Sequence, residues 1–209
     1  MRFAVIPAFN EEQTIGHVIL SLSPYVDKIV VVNDSSSDDT DIISTQLGAL
    51  VITNHENKGY DYSLLRGIKY SISNGASSIV TFDADGQHPF EVLDEMFDLI
   101  EGKRCDIVLG DRGSLPRFSE ILFSLYTKLK YNIPDILCGL KCYSVRVLCH
   151  HSLDCGWDSV GSYPTLISVK YGYKCISIPI SSPPRLSGLS RYGQSLIAEK
   201  KILYAFFRS

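Results

Sequence analysis

The stretch with the clearest chemical potential is TFDADGQHP, in which two aspartates are separated by one residue. Asp83 and Asp85 follow a short apolar run, and alternate residues of an extended segment point the same way. Two carboxylates so placed suit a hard divalent cation, either Mg²⁺ or Mn²⁺. Gln87 can add a carbonyl oxygen, and Gly86 lets the backbone approach a ligand closely. Such an ion usually also contacts substrate phosphates. The motif therefore predicts a metal-assisted diphosphate site, although DADG alone could also form a simple turn.

The surroundings of this motif favour the site over the turn. Asn10 and Glu11 follow the first apolar run of the chain, and Asp34 closes the second. In a parallel sheet the carboxyl ends of the strands meet at one edge, where ligands bind. We therefore expect these polar side chains to converge with Asp83 and Asp85 on one crevice.

The elements that must position these residues alternate regularly in the first half of the chain. Four uniformly apolar runs, typical of buried parallel strands, precede or separate three helical patterns; they are FAVI, KIVVVND, ALVITN and SSIVTFD. The second half is less regular, with helices expected in FEVLDEMFDLIEG and RFSEILFSLYTKLKYN and a strand in CDIVLGDR. This order predicts an α/β fold with a mostly parallel central sheet and helices on both faces.

The helix expected in RFSEILFSLYTKLKYN is amphipathic. Phe118, Leu122, Leu125 and Leu129 share one of its faces. This pattern suits packing against the rest of the protein, which we favour, and also suits a membrane surface, because lysines accompany the apolar residues.

Composition limits the classes of function. The 209 residues fit one sizeable domain, and a net charge of -3 gives no basic field for nucleic acid. The six cysteines lack a CxxC pair and are expected to be reduced thiols. No apolar run approaches the roughly 20 residues that a membrane span needs. We expect a cytoplasmic protein without a transmembrane helix, which could sit peripherally at the inner face of the membrane.

Several motifs together resemble one known family. IPAFNEEQTI, VVNDSSSDDT, NKGYDYSLLRGI, VTFDADGQHP and GDR occur in this order, followed by DILCGLKCY and PPRLSGLSRYG. They resemble family 2 glycosyltransferases with the GT-A, Rossmann-like fold, and especially the dolichyl- or polyprenyl-phosphate mannosyltransferase branch. The resemblance spans nearly the whole chain and implies a single catalytic domain over residues 1–209. Its nucleotide-binding half would cover about 1–112 and its acceptor side about 113–209.

The resemblance also implies roles for individual residues. The nucleotide of a GDP- or UDP-sugar would lie against Pro7, Phe9, Glu11, Asp34, Asp83 and Ala84. Asp85 and Gln87 would hold Mg²⁺ or Mn²⁺ beside the diphosphate, and Arg185 and Arg191 would meet phosphate. Arg112 and Arg117 would contact the acceptor, which would be a polyprenyl phosphate or a surface-glycan precursor. The implied reaction is inverting transfer of a hexosyl group, with Asp85 and Arg185 as catalytic residues.

The chain departs from the family pattern in ways that keep alternatives open. It reads NDSSSDD where the family usually reads DDGSxD, and it reads VGSYPTL where many relatives carry a catalytic base. Asp158 is the nearest carboxylate to that place. A phosphate acceptor is already anionic and needs no general base, but a missing base also fits a non-catalytic nucleotide-sugar-binding relative. A phosphatase of the haloacid-dehalogenase type is a weaker alternative, because Gln87 stands where that class has threonine. A nucleotidyltransferase would normally carry a basic, Gly-rich first loop, whereas PAFNEEQT is acidic.

Overall fold

The sheet is the frame on which the site is built. A computed structural model describes residues 1–150, 159, 161–181 and 196–208. The strands of this described part are β1 Arg2–Ala8, β2 Lys28–Asn33, β3 Leu50–Thr53, β4 Ser78–Thr81, β5 Ile107–Asp111, β6 Lys141–Ser144 and β7 Cys175–Pro179. They form one sheet in the order β3-β2-β1-β4-β6-β5-β7. Every neighbouring pair is parallel except those that involve β6, which is antiparallel to β4 and β5. The expected mostly parallel sheet is confirmed.

Helices cover both faces of this sheet. The helices of the described residues are α1 Ile15–Leu22, α2 Thr40–Gln46, α3 Tyr60–Ser73, α4 Leu93–Glu101, α5 Phe118–Tyr131, α6 Val145–Cys149, α7 Tyr163–Lys170 and α8 Leu196–Arg208. Alternate residues of β1 enter two different cores. Ala4 and Ile6 pack with α1 and α4, whereas Phe3 and Val5 pack with α3 and with helices of the second half. This alternation follows from the two-residue period of a strand.

The strand directions bring several loops to one edge. Strands β1, β2 and β4 are parallel, so the segments that follow Ala8, Asn33 and Thr81 all leave the sheet on the same side. Because β6 runs the other way, it begins at this edge, and Lys141 pairs with Thr81. The antiparallel strand therefore delivers the residues before Lys141 to the place where DADG begins.

Helix α5 differs from the expectation that its apolar face packs against the protein. Phe118, Leu125 and Leu129 are exposed, and Leu122 is only half-buried. The buried side chains of this helix are Ser119, Glu120, Phe123 and Thr127. The packing prediction was wrong because α5 buries a mainly polar side, in which Phe123 is accompanied by Ser119, Glu120 and Thr127. The Thr127 hydroxyl, for example, donates to the Ile133 carbonyl at 2.8 Å.

No helix in the described ranges is both long enough and apolar enough to cross a membrane.

Candidate active site at the edge of the sheet

A pocket of about 690 Å³ opens at the edge where β1, β2 and β4 end and β6 begins. Ten of the residues singled out from the sequence line it: Pro7, Phe9, Glu11, Asp34, Asp83, Ala84, Asp85, Gln87, Arg112 and Arg117. The expected convergence of the strand-end residues is thus present. Asp158, Arg185 and Arg191 lie outside the described residues.

Asp83 lines the pocket, and two side chains hold its carboxylate. The Tyr60 hydroxyl donates to Oδ1 at 2.9 Å, and Nε2 of the buried His88 lies 2.9 Å from Oδ2. Burial alone would raise the pKa of Asp83, but the hydrogen bonds from His88 and Tyr60 and the charge of Lys141 lower it overall. Asp83 is therefore held as an oriented anion before any ligand arrives.

Gly139 and Lys141, which lie just before and at the start of β6, both act on Asp83. A Cβ on Gly139 would lie 2.1 Å from Asp83 Oδ2, so only glycine leaves room for the carboxylate. Lys141 is buried, which lowers its pKa, and its Nζ donates to the Gly161 carbonyl at 2.6 Å. Asp61 accepts from the Gly161 amide at 3.0 Å. Lys141 and Asp61 thus hold the backbone of Gly161 from two directions, through its carbonyl and its amide.

Asp85 and Gln87 are held together by the turn between them. Gly86 has a φ of 73°, and the Gln87 amide donates to Asp85 Oδ1 at 3.0 Å. Both residues line the pocket. Among the residues that the structure describes, no group of three or more His, Cys, Asp or Glu side chains could hold a metal by itself. One carboxylate with a neighbouring amide fits Mg²⁺ or Mn²⁺ when phosphates and waters complete the coordination.

Asp34 fixes the loop that forms another wall of the pocket. Its Oδ1 accepts from the Lys58 amide at 2.8 Å and from Asn54 Nδ2 at 2.7 Å, and its Oδ2 accepts from the Gly59 amide at 2.8 Å. These three bonds set the start of α3, including Tyr60. Asp34 therefore lines the pocket and also positions Tyr60, which donates a hydrogen bond to Asp83.

The altered segment NDSSSDD still closes against the first loop. Asn33 Oδ1 accepts from the Ser36 amide at 3.0 Å, and the Ser36 hydroxyl accepts from the Asn10 amide at 2.9 Å. Ser35 has a φ of 64°, in the left-handed region that favours glycine. These bonds tie the segment after β2 to the loop after β1, with Ser35 in a backbone conformation in which glycine would be unstrained.

Two arginine side chains also line the pocket. Arg112 Nε and Nη2 donate to the two oxygens of Asp135 at 2.7 and 2.9 Å, and Nη2 lies 3.8 Å from Glu120. Arg117 forms an ion pair with Glu120, which is also buried. Burial would lower the pKa of Arg112, but the bond to Asp135 raises it overall, so the guanidinium stays charged. Both arginines are therefore held rigidly at the pocket wall.

Sequence reasoning missed several supporting residues. Tyr60 lies within the quoted motif NKGYDYSLLRGI, but no pattern linked it to Asp83. Glu120 is one of many residues in an amphipathic helical pattern, and nothing in that pattern marks it. Gly139 matters because of its close contact with Asp83, which the sequence does not reveal. Lys201, one of several basic residues near the end of the sequence, also lines the pocket. Only the folded chain brings these residues to the same crevice.

Comparison with known proteins identifies the family. Residues 3–121 match the sequence model described as Glycosyl transferase family 2. An uncharacterized protein of Methanocaldococcus jannaschii is 30% identical over 217 residues, which cover 97% of this chain and 89% of that protein. Polyprenol monophosphomannose synthase of Mycolicibacterium smegmatis is 26% identical over 93% of this chain and 82% of its own length. UDP-N-acetylglucosamine–dolichyl-phosphate N-acetylglucosaminyltransferase of Methanococcus voltae is 30% identical over 55% of this chain and 53% of its own length.

Solved structures support the fold. Glucosyl-3-phosphoglycerate synthase of Mycobacterium tuberculosis, in complex with Mn²⁺, UDP-glucose and phosphoglyceric acid, superposes with a TM-score of 0.77 at 19% identity. The match covers all of this chain and 79% of that protein. This likeness confirms the GT-A-type α/β fold. Fold, motifs and relatives agree, and the chain belongs to glycosyl transferase family 2, as a glycosyltransferase that resembles the polyprenyl-phosphate branch.

Proposed function

We propose that this glycosyltransferase moves a hexosyl group from a nucleoside-diphosphate sugar to a polyprenyl phosphate, with inversion at the anomeric carbon and with Mg²⁺ or Mn²⁺ as cofactor. The observation that carries the proposal is one pocket lined by two chemically different sets of side chains. Carboxylates suited to a metal and a nucleotide line it together with Arg112 and Arg117.

The donor would occupy the strand-end side of the pocket. Asp83, oriented by Tyr60 and His88, would accept hydrogen bonds from the nucleoside, and the loop set by Asp34 would enclose the base. Asp85 and Gln87 would hold the metal ion, which supplies charge neutralisation to the diphosphate leaving group. Groups that are already oriented before the donor binds would lower the entropic cost of reaching the reactive geometry.

The acceptor would approach along the arginine side. A guanidinium presents several donors in a plane that matches phosphate oxygens. Lys201 adds a further positive charge to the pocket lining. The relative from Mycolicibacterium smegmatis is named as a polyprenol monophosphomannose synthase. The relative from Methanococcus voltae is named as a dolichyl-phosphate N-acetylglucosaminyltransferase. These observations together favour a lipid phosphate as the acceptor.

The transfer itself needs little covalent participation by the protein. A phosphate oxygen of the acceptor would attack the anomeric carbon while the bond from that carbon to the diphosphate breaks, through an oxocarbenium-like transition state. The attacking oxygen is ionised at neutral pH, so no side chain has to remove a proton. The protein's part would be to hold the donor diphosphate and the acceptor phosphate in one pocket, with the anomeric carbon between them.

Calorimetric titration tests the donor site. UDP and GDP are each titrated with Mn²⁺ and with EDTA, using the wild type, Asp85→Asn and the control Glu95→Gln. Glu95 is an exposed carboxylate on α4. We expect one nucleotide to bind only with metal, and binding to be lost in Asp85→Asn but kept in the control. Absence of nucleotide binding in the presence of metal would contradict the proposal.

A transfer assay separates a catalyst from a non-catalytic relative. The protein is incubated with a nucleotide sugar that carries the preferred nucleotide and a labelled hexose. The acceptor is either a short polyprenyl phosphate or the corresponding free polyprenol. Transfer to the phosphate alone is the expected result. Nucleotide binding without transfer to either acceptor would instead support a binding protein.

A further inference from the structure

The outward side of α5 is more apolar than its inward side. Phe118, Leu125 and Leu129 are 73%, 54% and 80% exposed, and Ile121 is also exposed. At about 3.6 residues per turn, these four positions fall within a stripe about 100° wide. The inward side carries Ser119, Glu120, Phe123 and Thr127. Single exposed apolar residues are common, but a continuous stripe along a helix marks an interaction surface.

Helix α8 packs beside α5 and also carries exposed aromatic side chains. The ring of Phe206 contacts Phe123 and Tyr126 of α5, with centroids 5.7 and 5.5 Å apart. The next residue, Phe207, is 78% exposed, and Tyr204 is exposed as well. We call the five most apolar exposed side chains of these two helices the apolar face: Phe118, Ile121, Leu125, Leu129 and Phe207.

The charges around the apolar face have one sign. Helices α5 and α8 together contain five basic and two acidic residues, although the whole chain has a net charge of -3. Neither acidic residue is exposed: Glu120 is buried in the arginine cluster, and Glu199 accepts from the Ser119 amide at 3.1 Å. In the described part of these helices the exposed charged residues are all basic, namely Lys128, Lys130, Lys200 and Arg208.

From this apolar face with basic flanks we propose that α5 and α8 dock on an anionic lipid bilayer. Apolar side chains on one helix face and lysines beside them are the features that hold a helix in a membrane interface. A second copy of this chain would place the same lysines opposite one another, which disfavours a self-association surface. Anionic lipid headgroups instead complement them.

The helices of the apolar face also contribute to the pocket. Pro116 and Arg117, just before α5, line the pocket with Glu120 in its first turn, and so does Lys201 of α8. A bilayer on this face would bring the headgroup region to the arginine wall. The inference goes beyond the proposed transfer and does not depend on it, because lipid docking requires neither donor nor metal.

Vesicle flotation tests the docking, with full-length protein, no nucleotide and no metal. Vesicles of phosphatidylcholine are compared with vesicles that also contain phosphatidylglycerol. The test variant is Leu125→Glu/Leu129→Glu, and the matched control is Leu20→Glu/Ile42→Glu, because Leu20 and Ile42 are exposed apolar residues on α1 and α2. We expect the wild type and the control to bind the anionic vesicles equally, and the test variant to bind at least about tenfold more weakly.

A charge variant checks the electrostatic part. Since one basic residue near an anionic surface contributes about 1 kcal/mol, Lys128→Gln/Lys130→Gln should weaken partition into anionic vesicles by about thirtyfold. Its partition into neutral vesicles should not change. Thermal unfolding of all variants confirms that these surface substitutions leave the fold intact.

Three results would overturn the proposal. The wild type could fail to bind anionic vesicles. The test and control variants could lose binding equally. Light scattering after gel filtration could reveal a dimer that Leu125→Glu/Leu129→Glu dissociates, which would assign the apolar face to a second copy of the chain.

Discussion

Adding one methyl group beneath Asp83 gives a sharp test of the donor site. In Gly139→Ala the new Cβ would lie 2.1 Å from Asp83 Oδ2, so the carboxylate must retreat by more than about 1 Å to reach ordinary contact distance. The same oxygen lies 2.9 Å from His88 Nε2. A hydrogen bond to a charged group contributes about 1.5–3 kcal/mol. If the displaced carboxylate costs about 2 kcal/mol of binding free energy, the nucleotide binds about thirtyfold more weakly.

Two further Gly→Ala variants act as controls for this effect. Gly67 does not line the pocket, and a Cβ on it would lie 2.4 Å from Val5 Cγ1, so Gly67→Ala should lose about 1–3 kcal/mol of stability through overpacking, partly offset by higher helix propensity. A Cβ on Gly16 would meet its nearest atom at 3.4 Å, so Gly16→Ala should be neutral or slightly stabilising.

Calorimetry with the preferred nucleotide and Mn²⁺, together with urea unfolding, separates the three variants. We expect Gly139→Ala to lose nucleotide affinity, Gly67→Ala to lose stability but keep affinity per folded molecule, and Gly16→Ala to change neither. Wild-type affinity in Gly139→Ala would refute the reasoning, because Asp83 would then not contact the nucleoside.

The remaining predictions concern single contacts around the pocket. Tyr60→Phe removes the donor to Asp83 Oδ1 and should weaken nucleotide binding about tenfold by calorimetry, whereas Tyr62→Phe, at an exposed position on the same helix, should not. Arg112→Lys loses the two-point contact with Asp135, so it should raise the acceptor KM severalfold in a transfer assay and leave the nucleotide Kd unchanged. Ser35→Gly relieves a left-handed backbone and should add up to about 1 kcal/mol to the free energy of unfolding in urea; equal or lower stability would contradict that strain.

The sequence predicted the sheet well because buried parallel strands leave a strong local pattern. Uniform apolar runs and the polar residues after them, from Glu11 to Asp85, sufficed to place one pocket at one edge. The order of β6 and β5 could not be predicted, since strand pairing across the second half depends on distant contacts. Gly139 and Tyr60 reach Asp83 only through that pairing and through the turn that Asp34 holds.

Helix α5 was misread for a physical reason that bears on function. Periodicity reports that a helix has an apolar side, but it does not report what lies against that side. Glu120 turns inward because Arg117 and Arg112 stand at the pocket wall, and a buried carboxylate requires such partners. Turning Glu120 inward sends Phe118, Leu125 and Leu129 outward. The ionic cluster that builds the arginine wall therefore also creates the apolar face, so phosphate recognition and membrane docking would share one structural cause.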